Sequence, residues 1–585
     1  MSLSSVAAFE EIWCVDWEYR PRSGAQIDPV CCCAQELRSG WQIALWLDGE
    51  RHQCPYGTSA RALYVGFGIT GDLGCHRTLQ WPSLTHVLDL HTEFRNRTNG
   101  LIALTHTGLV DVLRTFHLPS IAAAEKAAMI DRILQGGPWT PEEQAAILAY
   151  CMSDAMALTH LLPLMLPHIA LPQALQRGRY LRNVAVVEQR GIPIDTTLRQ
   201  TLMAYQEPIQ DALIAGVNPS IGYAYDGRHL RMDRLTAWVD QLDFDWPRTP
   251  KRCDPCTDDD TLEMLALLHP GIEPFRQLLK TLRQMRSLIE KVGHDGYNRP
   301  ELRPFSAVTS RNLPRTKENV LGSAAWLRTL IQPPPGYGIA YVDWSSQEYG
   351  IVAVFADDTA MQEGYRTDPY LHFGKRIGII PPWGTKETHP AERTMCKACS
   401  LGVLYGMGAK ALAQRIGKSH ATGQRLLTQH QQTYRNFWGW TDRVVKLARH
   451  DKQIATVLGW TLHWDPHNAG ADCPPVTAGT IKNFPAQSHG AEMLRLALSF
   501  AVEAGVEIVA PLHDALLLQA PLAELDDAIH ATQHAMEDAS EVILRGFKLR
   551  TEVQVFRHPL HYQDSRGKAM WKIVRPLLPA SVQID

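Results

Sequence analysis

The sequence predicts a mixed α/β protein built from more than one unit, and three observations predict it. Up to about Gly178, short β-prone runs alternate with helical stretches; from Arg179 to about Pro333, helical patterning dominates. Beyond the turn-rich segment 331–338, Ile-Gln-Pro-Pro-Pro-Gly-Tyr-Gly, two apolar strand-like pieces at 339–342 and 507–512 enclose a long helical insertion. The 585 residues leave room for several domains, and 45% hydrophobic content is that of a globular fold. A net charge of -3 is close to neutral, so any polyanion partner requires basic faces segregated from acidic ones.

The twelve cysteines do not suggest a disulfide framework in a chain this long. Cys31-Cys32-Cys33 and Cys253-Asp254-Pro255-Cys256 lack the second ligand pair of a zinc module, and are read as free thiols of a reducing cytosol. The N-terminus has no basic region followed by an apolar core, so no secretory signal is evident. The longest uncharged stretch, 157–176, carries Pro163, Pro167, Pro172, His160 and His168, which reads as a packed helix and its exit loop in a soluble protein.

In chain order, residues 12–17 and 62–67 read as strands and 141–166 as a helix. Residues 215–248 look like an ordinary connection, followed by a polar loop at 251–260. Phe275, Leu278, Leu279, Leu282, Met285 and Ile289 then form an apolar stripe at helical spacing. Arg276, Lys280, Arg283 and Arg286 take much of the remaining surface, and their uniform sign favours contact with a phosphate backbone over a merely solvated face. No internal repeat or low-complexity segment stands out.

Three segments in the second half carry the chemistry. Asp343 ends the run 339–342 where a carboxylate can face a cleft, and 509–512, His513-Asp514-Ala515 and 516–518 read as two strands around a tight turn with Asp514 at its tip. Two carboxylates on rigid strands suit a pair of divalent ions and two-metal nucleotidyl transfer. Between them, Arg393, Lys397, Leu401 and Tyr405 recur every four residues as one slowly drifting helical stripe, whose cations suit a triphosphate. Gly406 follows, letting backbone approach closely beside an aromatic that can stack on a base. Cys396 and Cys399 in that helix are read as packing. Each Asp alone is more often a cap or turn residue; the specificity lies in the combination.

That combination resembles a family A DNA polymerase, the DNA polymerase I type. Asp343 to Glu348 resembles motif A, Arg393 to Gly406 motif B, and His513-Asp514 motif C; Asn483-Phe-Pro-Ala-Gln487 resembles the segment between B and C, and Thr309-Ser310-Arg311 the Thr-Gly-Arg element near the thumb. The resemblance implies a right hand of thumb, palm and fingers, with Asp343 and Asp514 as metal ligands. Glu348 is the implied steric gate against ribose, paired with Tyr405; Arg393 and Lys397 are the implied triphosphate holders. Arg311 and Gln487 are implied at the primer-template minor groove, with Asn483 nearby and His513 near the primer terminus. Three positions depart from the pattern: Ala515 where many relatives have Glu, Leu401 where they have Phe or Tyr, and Gly350 where they have Arg.

Near the N-terminus, Asp16 and Glu18 share one face of a strand by their i, i+2 spacing. Asp72 follows a second strand, and Tyr150 and Asp154 lie one helical turn apart. Four acids and a tyrosine in this order resemble a DEDDy 3′→5′ exonuclease, of RNase H-like fold. By that resemblance Asp16, Glu18, Asp72 and Asp154 hold two metals and Tyr150 orients the attacking water. Gly68 replaces an Asn common in relatives, and Asp89 is the competing acid for the place given to Asp72.

The expected organisation is an exonuclease at 1–178, thumb and approach to the palm at 179–330, palm at 331–365, fingers at 366–478 and palm again at 479–585. The implied cofactors are two Mg²⁺ per active site, with Mn²⁺ able to substitute. The implied partners are primer-template DNA, dNTPs and replisome proteins, for a monomeric enzyme without a membrane. A chain that starts directly at the exonuclease resembles phage or prophage replicative enzymes, in the cytoplasm of a bacterium or infected host. A single-subunit RNA polymerase shares the palm aspartates, but Glu348 and the exonuclease acids argue against it. The alternative is an exonuclease or DNA-binding scaffold with a degenerate polymerase site.

Overall fold

The computed structural model describes residues 6–580 apart from 21–26, 48, 50–51, 102–105, 250–251, 291, 316–317 and 465–475; the side chains at 260, 267–268 and 284–290 also lie outside the described residues. Five strands form the N-terminal sheet: β1 (Glu11–Arg20), β2 (Asp28–Glu36), β3 (Gln42–Trp46), β4 (Ala62–Gly66) and β5 (His86–Asp89), in the order β3-β2-β1-β4-β5. β2 runs antiparallel to β1 and β3, while β4 lies parallel to β1 and β5. The alternation in β1 explains its central place. Ile12 and Cys14 pack on one side with Leu158, Leu161 and Leu162, and Trp13, Val15 and Trp17 pack on the other with Tyr56, Tyr64 and Trp81. Asp16 and Glu18 continue the first of these faces.

The helix Pro141–Met165 starts at a Thr140/Glu143 capping box and packs against β1 and β2. It has the length and apolarity of a membrane span, yet Ile147, Tyr150, Cys151, Asp154, Ala155 and Leu158 are buried inside the protein. The next helix, Leu171–Arg190, runs across the expected boundary at 178/179. It ties the N-terminal sheet to the rest of the molecule. Arg177 makes a bidentate, buried ion pair with Glu93 at 2.7 and 2.6 Å, and Arg179 pairs with Glu503 on the helix Ala478–Glu503.

The helical region that follows has its own core. Leu198, Ile209, Leu213, Phe275 and Leu278 pack with Trp326, and Tyr562 and Met570 return to it from the C-terminal segment. A second sheet then combines β6 (Tyr337–Trp344), β7 (Glu507–Leu512), β8 (Ala515–Pro521) and β9 (Thr551–Arg557) in the order β7-β8-β6-β9, all neighbours antiparallel. The helical insertion between β6 and β7 carries the cationic stripe, and its last helix, Ala478–Glu503, packs against β7 and β8.

Candidate active sites

β6 occupies the middle of the second sheet, so Asp343 near its end has a neighbour on each side. Its register partner is Ala515 on β8 and Glu552 on β9. Asp514 lies in the two-residue turn joining β7 to β8, and its carbonyl accepts from the Trp344 N–H at 3.1 Å. His513 completes that turn at φ +53°, the left-handed conformation that two-residue hairpins require. The hairpin expected from the sequence therefore forms, with Asp514 beside Asp343. Burial, then Asp514, then Glu552 push the Asp343 carboxyl up to about 6. Burial raises Asp514 as well, with Arg311 acting in the opposite sense.

Among the described residues no lysine or arginine forms an ion pair with Asp343, Asp514 or Glu552. Asp343 and Asp514, side by side and free of any ion pair, leave an excess of negative charge of the kind a divalent ion relieves, so these two residues fit the metal pair that the resemblance implies. Among the described residues no three acidic, His or Cys side chains converge closely enough to enclose an ion by themselves. Substrate oxygens must complete any such shell.

Glu348 sits in the first turn of the helix Gln347–Phe355, which follows Ser346 at φ +52°. Its carboxylate accepts from the Tyr405 hydroxyl at 2.8 Å and from Arg311 at 3.0 Å. The expected Glu348–Tyr405 pair is present, and Arg311, expected at the DNA minor groove, is ion-paired to Glu348. Burial and then Glu348 push the Tyr405 phenol above its ordinary value. Arg311 follows Ser310, which holds φ +61° in a position glycine takes without strain. Arg495 fixes that turn by donating to the Ser310 carbonyl and hydroxyl, both at 3.0 Å.

The helix Pro390–Leu404 bears Arg393, Lys397 and Leu401, with Tyr405 as its C-cap. Gly406 ends it at φ +74°, and the Met407 N–H closes the turn on Gly402 at 2.8 Å. Arg393 and Lys397 both lie over the Tyr370 ring, at 5.3 and 5.7 Å. Arg393 also donates to Asp368 at 2.7 Å, a partner the sequence did not suggest, whereas Lys397 is exposed and pairs with no carboxylate among the described residues. Gln487 and Asn483 lie on the helix Ala478–Glu503, and the buried Asn483 side-chain oxygen lacks a protein partner. At Gly350 a Cβ would stand 2.6 Å from the Leu549 side chain and 3.0 Å from the Tyr365 ring, so a larger residue there would require both to shift.

The expectation for the thumb cations is corrected. Arg276 is buried and pairs with Asp259, Glu263 and Glu273; Lys280 donates to Asp259 at 3.0 Å; Arg283 donates to the Thr257 carbonyl and hydroxyl. The helix Glu273–Glu290 exists as its stripe predicts, but Asp259 and Glu263 from the preceding helix pair with Arg276 and Lys280, while Arg283 stays exposed without an acidic partner among the described residues. Spacing along one helix cannot show a counter-charge that arrives from another element. The side chains of Met285, Arg286 and Ile289 lie outside the described residues.

In the N-terminal unit, Asp16 and Glu18 on β1 face Asp154 and Tyr150, and Asp72 opens the helix Thr70–Thr78. Burial first, then the neighbouring acids Asp154, Glu18 and Asp72, raise Asp16 well above the carboxylate range; Glu18 is raised by burial and then Asp154. Burial likewise pushes Asp72 up to about 8, although Tyr64 donates to it at 3.1 Å. The four acids thus lie near enough to act on one another electrostatically, without closing into a ready-made ion cage. Asp89, the competitor, is a helix cap: it accepts from the N–H groups of Gly68, His91 and Thr92 and from the Thr92 hydroxyl at 2.6 Å. Gly71 is required for close packing, since a Cβ there would meet the Tyr19 hydroxyl at 2.0 Å.

One member of this group had no signal in the sequence. Lys126, on the largely exposed helix Ala123–Gln135, donates to Asp154 at 2.5 Å and lies over the Tyr150 ring at 5.4 Å. Its charge acts favourably on both Asp16 and Glu18. Beside Asp154 opens a cavity of about 480 Å³, lined mostly by apolar side chains such as Leu113, Leu118, Ile121 and Met156.

The model of DNA polymerase family A matches residues 239–558, more than half of the chain. DNA polymerase I of Aquifex aeolicus is 24% identical over 403 residues, covering 65% of this chain and 66% of that protein. The thermostable DNA polymerase I of Thermus thermophilus is 24% identical over 211 residues, covering 35% of this chain and 25% of its own. The chain thus spans between a quarter and two thirds of the length of these relatives. The POL domain of Pol1 from M. smegmatis, solved in complex with DNA primer-template and dNTP, shares the fold at a TM-score of 0.68, with 18% identity and coverage of 95% of this chain and 97% of that one. Motif order, site geometry and the family match agree, and the chain belongs to DNA polymerase family A.

Proposed function

We propose that this protein is a template-directed DNA polymerase that adds dNTPs to a primer 3′ end and carries a 3′→5′ proofreading exonuclease. The observation that carries the reading is the pairing of Asp343 and Asp514 on one sheet edge with Lys397, Arg393 and the Tyr405–Glu348 contact on the facing helices. In this mechanism Lys397 supplies a free ammonium to the triphosphate, and Arg393 a guanidinium already aligned by Asp368. Glu348, braced by Tyr405 and Arg311, occupies the space beside the sugar and crowds out a 2′-hydroxyl. Asp343 and Asp514 act in their ionised form as ligands. The divalent ions they hold would lower the pKa of the primer hydroxyl and stabilise the leaving pyrophosphate.

The exonuclease half of the reading rests on the convergence of Asp16, Glu18, Asp72 and Asp154 with Tyr150. A two-ion Mg²⁺ centre is the cofactor proposed for each site, with primer-template DNA and dNTPs as partners. A monomeric, cytoplasmic enzyme of phage type belongs to the same proposal, as does the division into thumb, palm and fingers. Ala515 and Leu401 are the observations that favour the second reading, an exonuclease or DNA-binding scaffold with a degenerate palm.

A labelled primer-template incubated with Mg²⁺, with and without the four dNTPs, tests both halves on one gel. Extension with dNTPs and 3′ shortening without them is the expected result. Asp343→Asn removes extension and Asp16→Ala removes shortening; extension by the first variant or shortening by the second overturns the corresponding site. Shortening alone by the wild type supports the second reading.

A further inference from the structure

The turn that carries Arg311 is held from the N-terminal unit. Residues 307–311 close on themselves: the Ser310 N–H donates to the Ala307 carbonyl at 2.8 Å, and the Ala307 N–H to the Arg311 carbonyl at 3.2 Å. Val308 stands inside this turn, and its carbonyl accepts from two side chains, Asn99 Nδ2 and Trp460 Nε1, both at 2.9 Å. A carbonyl oxygen has two lone pairs, so both are used, and the turn cannot rotate without breaking one of these bonds. At its far end Arg311 reaches the polymerase centre. It pairs with Glu348, which also accepts from Tyr405, and it acts electrostatically on Asp514 and His513.

Asn99 is where the two units meet. It ends the helix Leu90–Thr98, which leaves the edge strand β5 of the first sheet, and it is 2% exposed. Its Nδ2 also donates to the Thr461 carbonyl at 2.9 Å, and its own carbonyl accepts from the His463 N–H at 2.9 Å. Two carbonyls can be bridged only by the NH₂ end of the amide, which fixes the orientation of the side chain. Its Oδ1 is buried without a partner among the described residues, a cost that the two donated bonds offset. Asn96, one helical turn earlier, binds the same hairpin of strands Gln453–Ala455 and Thr461–His463. It donates to the Gly459 carbonyl at 3.0 Å and accepts from the Thr461 N–H at 2.8 Å. Arg95 adds a bond to the Ser306 hydroxyl at 3.0 Å, just ahead of the turn.

Resting on the polymerase reading above, we propose that Asn99 is a positioning residue of the polymerase centre: through the Val308 carbonyl it sets the turn that aims Arg311 at Glu348. It acts through Arg311 and not on the substrate itself. The N-terminal unit thereby braces the carboxylate that crowds the sugar, so nucleotide selection in the second half of the chain depends on a side chain from the first.

The test is a double-mutant cycle in the full chain, read as the ratio of kcat/KM for dNTP and rNTP in primer extension. Asn99→Ala removes both donors without adding charge and should lower that ratio about threefold, within the coupling expected inside one hydrogen-bond network. Asn99→Asp keeps the shape, loses the donors and should lower it at least as far. Trp460→Phe removes the other donor to Val308, keeps a ring against Phe305 and should act in the same direction. In an Arg311→Ala background none of these changes should alter the ratio further. A merely loosened scaffold would lower kcat for both nucleotides alike and leave the ratio where it was. Circular dichroism checks that each variant is folded. A ratio unchanged in Asn99→Ala and Asn99→Asp overturns the inference, as does an equal fall with and without Arg311. Asp343→Asn separates the two levels: continued extension by that variant defeats the polymerase reading itself, whereas loss there with an unchanged ratio at Asn99→Ala removes only the role of Asn99.

Discussion

Replacing Asp343 by asparagine removes one negative charge from a sheet edge where Asp514 and Glu552 are its neighbours. The Asp343 carboxyl is raised from an ordinary value near 4 to about 6, mainly by burial and then by Asp514. A folded-state value above the unfolded one means the folded chain binds this proton more tightly. Stability contributed by the group is fully present below about pH 4 and is lost as pH rises through about 6. Two units correspond to about 3 kcal/mol, which the partial exposure of Asp343 reduces to about 1–2 kcal/mol. In chelator-treated buffer at pH 7.5, Asp343→Asn should therefore melt higher than the wild type, by about 2–8 °C for a cooperative unit of 150–250 residues. At pH 4 the two proteins should melt together. Added Mg²⁺ should raise the wild-type midpoint by more than that of the variant, which keeps only the N-terminal acidic site, and primer extension by the variant should be lost. Thermal denaturation with an extension assay on the same samples reads all three. A variant that melts at or below the wild type at pH 7.5 refutes the electrostatic reasoning, because the carboxylate would then be stabilised by something other than a bound cation.

Three other perturbations bear on different parts of the molecule. Glu348→Ala releases both Tyr405 and Arg311, and should lower discrimination against ribonucleotides by about tenfold or more, measured as the ratio of kcat/KM for dNTP and rNTP. Lys126→Met removes the ammonium from Asp154 and should tighten Mn²⁺ binding at the exonuclease centre on the order of fivefold, the equivalent of an ion pair near 1 kcal/mol; weaker binding would mean that Lys126 supports the site rather than competing there. Glu93→Gln leaves the buried Arg177 guanidinium without its counter-charge and should destabilise by about 3–5 kcal/mol in denaturant titration, while a joint change of Glu93 and Arg177 to apolar residues should recover much of the loss.

What lay in the sequence was everything carried by local periodicity. The alternation along β1 set Asp16 and Glu18 on one face, and four-residue spacing put Arg393, Lys397 and Tyr405 on one stripe. A two-residue gap between apolar runs put Asp514 in a turn. These patterns work because strand and helix geometry dictate side-chain direction from neighbours only a few positions away. The order of the motifs then supplied the family. Asp72 against Asp89 was harder, because a helix cap and a site acid look alike until the N–H groups they accept from are known. Tertiary structure alone decided the rest. Asp259 and Glu263 arrive from a separate helix to neutralise Arg276, so a stripe of cations ceased to be an open surface. Lys126 reaches Asp154 across 28 residues, and Glu552 stands beside Asp343 across more than two hundred. Charge acts through space and leaves no trace in spacing along the chain; strand order and register therefore decide which acids stand side by side, while the sequence by itself determined which residues could be acids on a face at all.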